Sequence, residues 1–198
     1  MTSPWVEIVG RQIEEALDLM DAVVRDCPDE LWQANMWELP EPSGELRDGD
    51  GNLVIDAADR HALVALAQWN GQPWGVAWHA LEILEFNLTD YIGIGEYRGF
   101  GGKRHWPDTP LTAWSQTEML GYIDYCRERL VYARKEFMEE RAATADGHGR
   151  LYGDRVLGKM RHLVEHATQI RQFIDWTASG LIPHPQIHSP TEGRWAKR

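Results

Sequence analysis

Cysteine is scarce in this chain: Cys27 and Cys126 are the only two in 198 residues. They fall on different predicted helices and form neither a C-x-x-C pair nor a disulfide framework, so they read as core thiols of a reducing compartment. Basic charge is also short. Lys+Arg number 20 against 31 Asp+Glu, a net charge of -11, which argues against a nucleic-acid backbone or an anionic membrane surface as partner. No stretch approaches about 18 uninterrupted apolar residues, and MTSPWVEIVG has neither the basic nor the apolar region of a signal peptide. The expectation is a cytoplasmic, soluble protein with no membrane or nucleic-acid partner.

Several chemical motifs are missing as well. There is no G-x-S-x-G nucleophile elbow, and neither cysteine has a recognisable histidine partner. Gly93, Gly95, Gly99, Gly101 and Gly102 follow a helix and lack the lysine and hydroxyl of a phosphate loop, so they read as a flexible loop. Asp48-Gly-Asp-Gly-Asn52 has the alternating oxygens calcium favours. Its sixth position, however, is Leu53 instead of glycine and its twelfth is Asp59 instead of glutamate, so it reads as an acidic turn. Internal repeats and low-complexity tracts are absent.

What the chain does have is helical periodicity and tryptophan, ten in all. Four long stretches follow the helical period. The first covers residues 4–25, with Val6, Val9, Ile13, Leu17, Met20 and Val24 on one face, and ends before Pro28. The second runs over 73–91, with Pro73 at the first helical position, and is apolar nearly all round, which predicts burial. A third starts at the capping box Ser115-Gln-Thr-Glu118 and runs to Phe137; a fourth covers 154–179 and stops at Gly180 with Pro183 beyond. Between the first two lie an acidic insertion, 38–56, in which Leu53 to Ile55 could be one arm of a hairpin, and a short accessory helix, 57–69. Loops occupy 93–110 and 143–153, and a proline-bearing tail occupies 183–198. The fold class this implies is all-α, a four-helix bundle forming one domain over residues 1–182.

Histidine carries the chemistry. His162 and His166 are four residues apart on the fourth helix, so their rings leave the axis roughly 40° apart and point the same way. They share a stripe with Gln169 and Phe173, while Val164 and Arg171 point elsewhere. Such a pair either chelates a divalent ion or holds one hydrogen-bonded core imidazole beside an unrelated one. His79 sits mid-helix among Trp78, Ile83 and Phe86, where a ring without partners for both nitrogens is costly. Three histidine ligands leave one position open for water or substrate, as in catalytic zinc sites. Glu82 and Glu165 each follow a histidine by three residues, whereas di-iron bundles place the glutamate first, so a mononuclear site is preferred. These glutamates then read either as groups orienting a ligand imidazole or as members of a solvated face. His61, His105, His148, His184 and His188 lie in loops or the accessory helix and read as exposed.

PWGVAWHALEILEFNL and GKMRHLVEHATQIRQFI, with Cys27-Pro-Asp-Glu-Leu-Trp32, resemble the DinB-like superfamily of four-helix-bundle metalloproteins. The resemblance covers most of the chain, and its specific element is His79 with His162-x-x-x-His166. It implies an up-up-down-down bundle, commonly a homodimer, with these three histidines holding one zinc, nickel or similar divalent ion. Members with an assigned activity include thiol-dependent transferases and isomerases. The resemblance does not extend to the insertion 38–56 or the tail 183–198.

Two function classes follow. In the first, the protein is a metal-dependent enzyme in which a metal-bound low-molecular-weight thiol, or water in a hydrolase variant, attacks a small electrophile. Glu82 and Gln169 are then candidates to orient the nucleophile, and Trp74 and Trp78 to wall the pocket. In the second, the protein is a non-catalytic metal-binding homodimer that senses or buffers the ion.

Overall fold

Local signals set the ends of the long helices. The computed structural model describes residues 3–37, 46–47, 53–55, 71–89, 113–145 and 149–181. Helix α1 spans Pro4–Asp26; the Ser3 hydroxyl accepts from the Val6 N–H, Pro4 occupies the first turn, and Cys27 turns extended ahead of Pro28. A one-turn helix, α2, covers Asp29–Trp32. Strands β1 (Leu46–Arg47) and β2 (Leu53–Ile55) pair antiparallel, so the segment expected to be one hairpin arm has its partner. Helix α3 covers Pro73–Leu88 and stops three residues short of the expected end, where Thr89 becomes extended and its hydroxyl donates to the Phe86 carbonyl.

Helix α4, Gln116–Glu136, begins at the expected capping box: Ser115 Oγ accepts from the Glu118 N–H at 3.2 Å, and Glu118 accepts from the Ser115 N–H at 2.7 Å. A short α5, Met138–Arg141, precedes α6, Tyr152–Ala178. Helix α6 closes with Gly180 at φ 69°, a left-handed conformation open to glycine. Leu181 N–H then bonds to Trp176 C=O and Gly180 N–H to Thr177 C=O, the paired bonds of a Schellman stop. The accessory helix expected over 57–69, the loop 93–110 and the tail 183–198 lie outside the described residues.

The four long helices pack in a ring: α1 against α4, α4 against α3, α3 against α6, and α6 back against α1. Thus α1 and α3 sit on one diagonal. Contacts at both ends give the directions. Trp5 lies near Gly153 and Asp26 pairs with Arg171, so α1 and α6 run the same way. Gln116 bonds to Val24 C=O while Arg134 reaches Glu7, so α4 runs against α1. Tyr152 bonds to Asn87 C=O and His162 meets His79, so α3 runs against α6. In chain order the directions are therefore up-down-down-up, a correction to the up-up-down-down order that the resemblance implies. The connection between α4 and α6 is the short one, and these two helices lie on the other diagonal and run antiparallel. The connections on either side of α3 are long enough to return the chain in either sense.

Among the described residues the architecture is all-α apart from the β1–β2 pair. Ile13, Leu17 and Met20 of α1, Leu81 and Leu84 of α3, Ile123 and Leu130 of α4, and Leu163 and Ile170 of α6 are fully buried and form the common core. Helix α3 is covered on most sides, which its nearly continuous apolar sequence predicts. Among the described residues no helix is long and apolar enough to cross a membrane.

Candidate metal centre

His79 projects from the middle of α3, and His162 and His166 project from successive turns of α6. Because α3 and α6 are adjacent and antiparallel, the three rings meet. One ligand-capable atom of each lies within 4.8 Å of the others, and no His, Cys, Asp or Glu among the described residues joins them as a fourth. The ring centroids are 5.1 Å (79–162), 5.5 Å (79–166) and 4.3 Å (162–166) apart, with planes 73–80° from one another. All three side chains are half-buried.

The separations suit an ion. Two imidazole nitrogens bound at roughly 2.0–2.1 Å with a tetrahedral angle between them lie about 3.3 Å apart. His79 Nε2 and His162 Nε2 are 3.2 Å apart. That distance also fits an N–H···N hydrogen bond, so the third ring decides the matter. His166 Nδ1 donates to Gln169 Oε1 at 2.8 Å; an amide oxygen only accepts, so the neutral ring presents its Nε2 lone pair. That Nε2 is buried and has no hydrogen-bond partner among the described residues. An unsatisfied buried nitrogen costs about 1–3 kcal/mol, which coordination removes. The residues fit a divalent ion.

Protonation points the same way. Burial holds His162 below the ordinary histidine range, His166 and Lys159 push it further down, and Glu165 opposes them. A depressed value keeps the ring neutral, as a ligand must be. Burial pushes the Cys27 thiol up to about 12, with Glu30 and Asp29 adding to it. Cys126, fully buried near Glu85, is also raised well above the ordinary thiol range. Neither thiol is a thiolate at neutral pH, so the chain supplies no cysteine nucleophile here.

Gln169 reaches the outer nitrogen of His166, where it sets the tautomer and aims the ring. Glu82 is buried on α3, and Glu165 is exposed, 3.6 Å from Arg161. Trp74 and Trp78 are both buried: Trp74 Nε1 donates to Gln72 Oε1 at 2.7 Å, and Trp78 stands edge-on to Trp114. A groove of about 560 Å³ opens beside His162, and its α3 wall consists of Ile83, Phe86 and Asn87. A wheel would have found two of these, since at about 100° per residue positions 83 and 86 fall within roughly 40° of position 79 whereas 74 and 78 do not. Also missed was Glu85, a fully buried carboxylate that accepts from Tyr122 Oη at 2.6 Å. An acid inside an otherwise apolar helix was its signal. His61, His105, His148, His184 and His188, with the Asp48–Asn52 turn, lie outside the described residues.

No family model matches the chain, and no curated protein or solved structure matches it either.

Proposed function

We propose that the chain is a DinB-like four-helix-bundle metalloprotein, one domain over residues 1–182, holding one divalent ion, zinc or nickel, on His79, His162 and His166. It serves as a metal-dependent enzyme that readies a small thiol, or water, for attack on a small electrophile. A homodimer is the assembly that the resemblance implies, and the two unpaired cysteines favour a reducing, cytoplasmic setting. The observation that carries the reading is the convergence of three imidazoles beside an open groove that includes His162. A divalent ion there would supply Lewis acidity, lowering the pKa of a thiol or water at neutral pH.

The chain's own residues do the rest. Gln169 holds His166 with its Nε2 lone pair inward, and burial keeps His162 unprotonated. Ile83 and Phe86 cover one side of the groove and would exclude water from an apolar part of a bound molecule.

Elemental analysis after dialysis tests the metal assignment. The wild type should retain about one zinc or nickel per chain, and His162→Ala and His166→Ala should retain none while keeping their helical circular dichroism. A metal-free wild type would sink the assignment. A metal-replete wild type that is silent across thiol-plus-electrophile and ester hydrolysis panels would sink the enzymatic part alone.

A further inference from the structure

The groove beside His162 carries a charge pattern that the metal site does not need. The chain is acidic overall, at -11, yet among the described residues this groove is lined by four cationic side chains and two acidic ones. Three of the cations, Arg150, Arg155 and Lys159, come from the N-terminal end of α6 and the residues just before it. A helix N-terminus is already the positive end of the backbone dipole, so basic residues there work against helix stability. Their placement concentrates positive potential instead. Lys159 is pulled below the ordinary lysine range by burial first and then by Arg155 and Arg150, and it makes no ion pair among the described residues. Arg161, by contrast, faces Glu165 at 3.6 Å.

Gly158 is a second, independent sign of a binding groove. It lies inside α6, where glycine costs about 1 kcal/mol relative to alanine. A Cβ built there meets nothing within 4 Å, and the residue lines the groove. At about 560 Å³ the groove has the size of a small-molecule pocket.

From this geometry we infer that the groove is a subsite for a small organic anion, a carboxylate or phosphate. Arg155 and Lys159 take its charged end, and Ile83 and Phe86 cover its carbon skeleton. Its reacting end lies at the three histidines. The inference rests on the metal reading for what happens at that end, but not for the binding of the anion. It narrows the substrate class to molecules carrying a negative group a few bonds from the reacting atom.

Two probes test it. Cobalt(II)-loaded protein is titrated with mercaptosuccinate, a thiol bearing two carboxylates, and with thioglycerol, a neutral thiol, following the sulfur-to-cobalt charge-transfer band. Mercaptosuccinate should bind at least about tenfold more tightly, the value of one charge-assisted contact. Lys159→Glu should erase that preference, measured against thioglycerol in the same variant, and Gly158→Leu should weaken mercaptosuccinate binding at unchanged cobalt stoichiometry. Equal affinities in the wild type, or a preference that survives Lys159→Glu, overturns the subsite and leaves the metal reading standing. If cobalt does not bind, the metal reading fails, and calorimetric titration of succinate into the purified protein decides the groove: binding lost in Lys159→Glu supports it, and no binding in the wild type overturns it.

Discussion

The α1–α4 seam and the α3–α6 seam are built from the same kind of helix and use charge in opposite ways. Along α1–α4 arginines meet carboxylates across the helices. Arg127 reaches Asp18 at 2.8 Å and Asp21 at 3.3 Å on α1, and Asp124 of its own helix at 2.8 Å, while Arg134 lies between Glu7 at 2.5 Å and Glu14 at 2.9 Å. Gly10 leaves room for Arg134, whose Nε sits 2.6 Å from where a Cβ would be. Along α3–α6 three imidazoles converge, cations gather, and Gly158 faces open space. One seam is crossed by arginine–carboxylate pairs; the other brings together three imidazoles and lies beside a groove. On the proposed reading, the first seam is a stabilising interface and the second a binding one inside a single core.

The sharpest way to break this comparison is at Gln169. Removing its hold on His166 by Gln169→Ala should weaken zinc affinity about 10–100-fold, as second-layer substitutions commonly do; competition with a chromophoric chelator measures it, and an unchanged constant would remove Gln169 from the site. The two glycines come next. Gly158→Ala should raise stability by about 1 kcal/mol in urea, since the new methyl enters empty space. Gly10→Ala should fall short of that gain, because Arg134 must move off its two glutamates. Equal gains would mean that the seams do not differ in packing.

Smaller still is Arg127→Met. Its three partners are partly exposed, so the loss should stay within about 1 kcal/mol in thermal or urea unfolding. The acid limb of stability gives a last contrast. A hydrogen bond from Arg25 holds Asp21 below the ordinary aspartate range, Arg127 adds to this, and burial opposes both. A depressed carboxylate contributes stability that is present above its unfolded value and is lost as pH falls through the folded one. Urea unfolding at descending pH should therefore show a steeper decline in wild type than in Asp21→Asn, and parallel curves would count against the seam's electrostatic role.

Most helix ends were legible because capping is local: Ser3, Ser115 with Glu118, and Gly180 act within one turn. The end of α3 is not legible because apolar periodicity runs on past Leu88, while the break depends on Thr89 leaving the helical conformation. The pair His162 and His166 was readable from spacing alone. Its third member, His79, was readable as an imidazole in the middle of an apolar helix, and is half-buried there, but the meeting of the three required two distant helices to be neighbours. Ile83 and Phe86 could be found from their angle to His79, yet nothing local said which angle faces a groove.

The sequence by itself determined the helices, their buried faces and the candidate ligands, since each depends on residues within a few turns of one another. Only the tertiary structure decided that α3 runs against α6, that His166 Nε2 is buried without a hydrogen-bond partner among the described residues, and that Arg155, Lys159 and Gly158 line the space beside His162. Helical periodicity specifies which face of a helix is buried. Which helix covers that face, and in which direction, depends on long connections and on the joint packing of four apolar stripes, which no local window contains.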